Sequence, residues 1–303
     1  MNFKDLLSNK IFFFTFVIVV FGAVSVFAGS IIVNESGVRI EADNYFSSYG
    51  EEGITSNISF KGVDGNDYFL KVQNGLIVGI QEQEINYTFP TEGLVAYYKF
   101  DSINFTFTPD STGKYNLTGI NYPILNQSGI IENASSHYKG THNYWSSISD
   151  IPISGDTSKT ITIWYSKFSG ISSIFYAGTS SSCQQFGLAD FDSYLVALMN
   201  TESCDMNIIN YPLNNNEWYF IAITYDSSTH NLSSYLNGEL KNSTTRTLNT
   251  ASGPLTFGLH WQSVATLWDM NGTIDEAGVW NRALTPNEIT ALYNNGEGLN
   301  YSN

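Results

Sequence analysis

The chain has 303 residues, enough for one domain of roughly 200 residues with smaller parts beside it. Thirteen Lys and Arg stand against 28 Asp and Glu, a formal net charge of -15, which excludes nucleic acid as a partner on electrostatic grounds. Charged residues make up only 14% and aromatics reach 15%, with polarity carried by Asn, Ser, Thr and Gly, a mixture that suits β-sheets with polar uncharged faces.

Lys4 and Lys10 precede an apolar run ending in Val26-Phe27-Ala28, the form of a signal helix cleaved after Ala28. The same residues admit an uncleaved anchor, since 11–28 is a run of 18 residues with only Thr15 and Ser25 polar, close to the span of a bilayer. Both readings place the remainder outside, secreted or at the cell surface, and confine membrane contact to residues 1–28. Residues 29–81 then read as a small β-hairpin unit. Asp64-Gly65 separates Ile58-Ser59-Phe60 from Tyr68-Phe69-Leu70, and Asn74-Gly75 separates Lys71-Val72 from Leu76-Ile77-Val78. Isolated hairpins are barely stable in water, so this unit is expected to lean on the larger domain or on a second copy, making a homo-oligomer. Residues 82–92, with Pro90, read as a linker.

From Gly93 onward strand follows strand. Leu94, Ala96, Tyr98 and Phe100 alternate onto one face, while Thr160-Ile161-Thr162-Ile163-Trp164-Tyr165 and 218–225 are near-continuous apolar or β-branched runs, as inner strands of a sandwich are. Asn237-Gly238 marks a tight hairpin after Tyr235-Leu236. Thr285-Pro286-Asn287-Glu288 forms a capping box with proline at the first helical position; Ile289, Leu292 and Tyr293 share one face, and Asn294-Asn295-Gly296 stops the helix. In an oxidising compartment Cys183 and Cys204 form a bridge that contributes roughly 3 kcal/mol, the alternative being two separate buried thiols. Ten sequons permit glycosylation, at Asn34, Asn57, Asn86, Asn104, Asn116, Asn126, Asn133, Asn231, Asn242 and Asn271.

Five ordered segments resemble the laminin G-like, concanavalin A-like lectin/glucanase superfamily. They are 93–101 with Asp110-Ser111-Thr112-Gly113 downstream, Thr160 to Trp164, Glu217 to Asp226, Tyr235-Leu236-Asn237-Gly238, and Gly272 to Thr285. The resemblance implies an all-β fold over 93–303: a two-sheet antiparallel jelly-roll sandwich with a short C-terminal helix, whose concave face or loop rim binds sugars or proteins. It further implies one structural Ca²⁺ held by Asp101, Asp110 and Asp275, since Ca²⁺ takes six to eight oxygens from carboxylates and carbonyls. Two departures stand out: Ser102-Ile103 replaces the usual acidic residue after Asp101, and His142-Asn143-Tyr144 stands where Asp-Asp-Tyr is usual.

The expected function is a non-catalytic, exported recognition or adhesion module that binds an extracellular glycan or a protein surface. Tyr144, Trp145, Trp261 and Trp268 are its candidate binding aromatics, because aromatic faces beside Asn and Asp are what sugar recognition uses. Two alternatives come from other classes: a structural subunit of a surface layer, sheath or appendage, and a divergent glycoside hydrolase. A hydrolase needs two carboxylates flanking one bond. Asp275 and Glu276 are adjacent, so on a regular strand they face opposite ways. Asp190 and Asp192 share a face and read as a solvated strand edge, or as a second acidic or metal site with Glu202 and Asp205. The four histidines show no zinc spacing, and no G-x-S-x-G elbow is present.

Overall fold

The computed structural model divides the chain into two compact units, Met1–Ile85 and Asn86–Asn303. It describes residues 87–302 except 103, 105, 180–183, 193, 199–205, 210 and 260–268, and describes the first unit only as the backbone of six strands. Those strands are β1 (Lys10–Val20), β2 (Ala23–Asn34), β3 (Gly37–Ala42), β4 (Ser56–Lys61), β5 (Asp67–Gln73) and β6 (Leu76–Glu82). They form two three-stranded antiparallel sheets, β1-β2-β3 and β4-β5-β6. The second is the hairpin pair that Asp64-Gly65 and Asn74-Gly75 punctuate. Of the expected signal segment, 1–28, the backbone in β1 and β2 is described; its side chains, and with them the signal helix, lie outside the described residues.

The second unit is the expected all-β sandwich. Its strands are β7 (Leu94–Tyr98), β8 (Phe107–Thr108), β9 (Leu117–Ile120), β10 (Ile124–Ser128), β11 (Asn133–His137), β12 (Tyr144–Ser147), β13 (Lys159–Lys167) and β14 (Ser172–Gly178). There follow β15 (Gln185–Asp190), β16 (Leu195–Leu198), β17 (Met206–Ile209), β18 (Trp218–Asp226), β19 (Asn231–Leu236), β20 (Glu239–Thr245), β21 (Leu255–Phe257) and β22 (Gly272–Trp280), then helix α1 (Pro286–Tyr293). One sheet runs β10-β11-β22-β13-β18-β19-β20, with β7 also on β22; the other runs β17-β16-β15-β14-β21-β12-β9-β8. All pairings are antiparallel.

Alternation along the strands decides what lies between the sheets. Ile161, Ile163 and Tyr165 of β13 and Ile221, Ile223 and Tyr225 of β18 face inward, and Phe175 and Ala177 of β14, Leu255 and Phe257 of β21 and Trp145 of β12 meet them. The opposite parity of the first sheet forms a second apolar cluster. There Trp164 lies 5.3 Å from Phe220 and stacks 5.7 Å from Tyr293, with Ile289 and Leu292 of α1 packed over them. The helix therefore roofs the first sheet's outer face. Its start is the anticipated one: the Thr285 hydroxyl accepts from the Glu288 amide, the Glu288 carboxylate accepts from the Thr285 amide, and Asn294 closes the helix in the left-handed region.

Two expectations shift. The presumed linker 82–92 is part of the sandwich from Phe89 onward, because Phe89 packs 5.0 Å from Tyr97 and 6.1 Å from Trp280, and the Trp280 indole donates to the Pro90 carbonyl at 2.7 Å. Asp190 does not lie on a solvated edge, although Asp192 is 63% exposed. Lys167 at the end of β13, 1% exposed, reaches across to the other sheet, with Nζ 3.3 Å from Asp190 Oδ2 and 2.7 Å from Asp192 Oδ1. Asp190 is buried because it answers a buried cation, and the pair ties the two sheets together at one end.

Candidate functional site

The second sheet's outer face carries a cavity of about 330 Å³, which falls at the small end of ligand pockets. Strand parity builds its floor. Trp145, Phe257 and Phe175 lie in one cross-strand row pointing into the core, so the next row, Ser146, Thr256 and Tyr176, points outward. Tyr144 stands two residues along β12 from Ser146 and lines the same cavity, with Asp150 and Ser252 on the rim. The Ser252 hydroxyl donates to Asp150 Oδ2 at 2.7 Å, and the Thr256 hydroxyl donates to the Leu259 carbonyl at 3.2 Å. Burial raises the pKa of Tyr144, and raises that of Tyr176 further. Gly178, at φ +100, lines the pocket where any Cβ would clash with the Gln184 carbonyl.

Of the aromatics singled out from sequence, Tyr144 lies in this cavity and Trp145 does not. Trp145 has no exposed surface; its indole donates to Ser135 Oγ at 2.8 Å and its ring lies 6.4 Å from Phe100. Adjacent residues on a strand take opposite faces, so only one of the two could reach the pocket. Trp261, Trp268, Cys183 and Cys204 lie outside the described residues. Tyr176, Ser146 and Asp150 were missed. The parity of Phe175 and Ala177 carried the signal for Tyr176, but it becomes readable only once Trp145 is known to point inward.

The three carboxylates expected to hold Ca²⁺ do not form one donor set. Asp110 is 3% exposed and its oxygens are occupied by its own loop: Oδ1 accepts from the amides of Tyr97 and Thr112, Oδ2 from the Thr112 hydroxyl and the amides of Lys114 and Tyr115. Asp275 accepts three backbone amides, from Ile130 and Ile131 on Oδ2 and from Glu276 on Oδ1. Asp101 accepts from the Asn133 amide. Among the described residues no three His, Cys, Asp or Glu side chains are placed to hold a metal ion. Asp110, whose two oxygens already answer five donors, does not fit a shared calcium site with Asp101 and Asp275.

Asp275 and Glu276 also depart from regular alternation. Glu276 has φ +44, and the pairing with β13 slips between Thr162 and Trp164, so β22 bulges there. Both carboxyl groups lie within reach of the charge of Asp101. Burial foremost pushes Asp275 up to about 8; burial and the charge of Asp275 push Glu276 up to about 9. Tyr97 donates its hydroxyl to Glu276 Oε2, and the buried Oε1 has no hydrogen-bond partner. Both carboxyls are at most 3% exposed, so this pair is closed to a polysaccharide chain. Ser135 and His137 form another buried contact, 3.2 Å between Oγ and Nε2, with Nδ1 3.0 Å from the Asn143 carbonyl. Burial pulls His137 down to about 4, and neither side chain is exposed, so no substrate reaches this serine.

Among the sequons, Asn104 and Asn242 are exposed, while Asn116, Asn133, Asn231 and Asn271 are half-buried. The Asn271 amide nitrogen donates to Ser169 at 3.0 and 3.1 Å, which occupies the atom a glycan would join. The side chains of Asn34, Asn57, Asn86 and Asn126 lie outside the described residues.

A family model described as the concanavalin A-like lectin/glucanases superfamily matches residues 139–290, half of the chain. No curated protein matches the sequence. Among solved structures, the binding domain of botulinum neurotoxin serotype D/C VPI 5993 superposes with a TM-score of 0.52 at 15% identity, covering 67% of this chain and 52% of that one. A structure described as "Cell entry of botulinum neurotoxin type C is dependent upon interaction with two ganglioside molecules" gives 0.52 at 15%, covering 67% and 51%. Domain 4 of AbnA, a GH43 extracellular arabinanase from Geobacillus stearothermophilus, in complex with arabinotriose, gives 0.49 at 20%, covering 65% and 96%. The chain thus spans about half the length of the toxin domains, and at these identities the likeness is one of fold.

Proposed function

The chain belongs to the concanavalin A-like lectin/glucanase superfamily, and on that premise we propose that it is a non-catalytic glycan-binding module displayed or secreted outside the cell. The observation that carries this reading is the pocket on the second sheet's outer face, where half-buried Tyr144 stands with Ser146, Thr256, Asp150 and Ser252, and Tyr176, only 3% exposed, forms part of the floor. Sugar recognition pairs apolar ring surface with a few placed hydrogen-bonding groups, and these residues supply both. The toxin structure whose description names gangliosides supports a binding rather than a hydrolytic role. So does the burial of Asp275 and Glu276. This reading does not draw on calcium.

The test is calorimetric titration and glycan-array capture with the intact chain and with Tyr144→Ala. Removing a ring from a binding pocket costs about 1–3 kcal/mol, so the variant should lose ten- to a hundredfold in affinity while its circular dichroism stays unchanged. Capture that survives Tyr144→Ala would move the site elsewhere; no capture by either protein would end the proposal. The structural-subunit reading keeps one support, the β4-β5-β6 sheet in which β4 and β6 are the outer strands among the described residues. Light scattering across a hundredfold range of concentration separates it, since strand addition through 29–81 would make mass depend on concentration.

A further inference from the structure

The strands of the second sheet, from β8 and β9 through β12, β14, β15, β16 and β17 to β21, contain no lysine and no arginine. The same is true of the longer runs 140–158, 168–240 and 247–281, which contain every residue lining the pocket. Among the described lining residues Asp150 alone is charged, and it is negative. The first sheet differs: Lys159 and Lys167 lie on β13 and Lys241 on β20. Both β13 lysines are buried and committed elsewhere, Lys159 to the Gly155 carbonyl at 2.9 Å and the Thr250 hydroxyl at 3.1 Å, Lys167 to Asp190 and Asp192. Among the described residues, none that lines the pocket is a cation.

Resting on the glycan-binding reading above, we infer that the pocket is charge-selective: it accepts an uncharged sugar unit and rejects one that carries a carboxylate, sulfate or phosphate. An anionic group entering the cavity gives up water and finds no opposite charge there, which is costly in any partly enclosed site. It also approaches Asp150 in the field of a chain with net charge -15. A neutral sugar meets the opposite situation. Its hydroxyls can donate to the Asp150 carboxylate, a charge-assisted bond, and exchange hydrogen bonds with Ser146 and Ser252 beside it. Acidic groups elsewhere on a branched glycan are tolerated in proportion to their distance from the pocket, because salt screens beyond about 10 Å.

An array of matched pairs tests this directly: terminal galactose against its sialylated and sulfated forms, and glucose against glucuronate, probed with the full chain and with Asp150→Lys. Neutral members should be captured at least about tenfold better than their acidic partners, and Asp150→Lys should narrow the gap by about tenfold. Neutral capture should hold from low to high salt. Capture of an acidic member as strong as that of its neutral parent overturns the selectivity and leaves glycan binding standing. A blank array overturns glycan binding itself, and this inference with it.

Discussion

At the scale of single residues, the buried ionisable groups set how stability responds to pH. Asp275 and Glu276 hold their protons up to about 8 and about 9 in the folded chain, against about 4 when unfolded. Between these limits the folded state binds more protons than the unfolded one, so their contribution to stability falls as pH rises. His137, pulled down to about 4, acts in the opposite sense, but only up to its unfolded value of about 6.5. Lys159, lowered to about 8, adds stability only above that value. Urea unfolding from pH 6.5 to 8 should therefore show the midpoint dropping, and Glu276→Gln, which keeps an acceptor for Tyr97, should flatten the slope. A midpoint that rises across this window would contradict the protonated pair. Sequence could not have exposed this. Asp275-Glu276 reads as two residues facing opposite ways until the positive φ of Glu276 bulges the strand and each carboxyl feels the other's charge.

Among the elements, some were legible in full and others were not. Thr285-Pro286-Asn287-Glu288 and Asn237-Gly238 are local chemistry, satisfied by a few neighbouring atoms, so spacing alone located the start of α1 and the β19–β20 turn. Thr285→Ala should cost about 1 kcal/mol in chemical denaturation, and Thr285→Ser almost nothing. The Lys167 clamp was illegible because its partners lie on the other sheet, and parity said only that Asp190 and Asp192 share a face. Lys167→Met leaves Asp190 buried and should destabilise by about 3–5 kcal/mol. Adding Asp190→Leu should recover much of that loss in a double-mutant cycle, and additive losses would show that the two side chains do not interact. The pocket sits between these extremes. Tyr144 was visible as an aromatic beside polar residues, whereas Tyr176, more than thirty residues away in sequence, became its neighbour only through the β14-β21-β12 order.

For the whole molecule, the division at residue 85 predicts independence. A chain beginning at Asn86 should unfold in one cooperative thermal transition and retain the glycan affinity of the full protein, because Asn86–Asn303 forms a compact unit by itself. Loss of folding on truncation would show that the first unit completes the sandwich. The roof that α1 and Phe89 make over the first sheet has one more consequence. With the middle of that outer face covered, the pocket described above opens from the opposite sheet, and a cavity of about 330 Å³ has room for one or two sugar rings. Binding of that size is weak and brief for a solitary molecule. Firm attachment to a glycan-coated surface must then come from valence: many chains held side by side, so that each release is followed by recapture at high effective concentration.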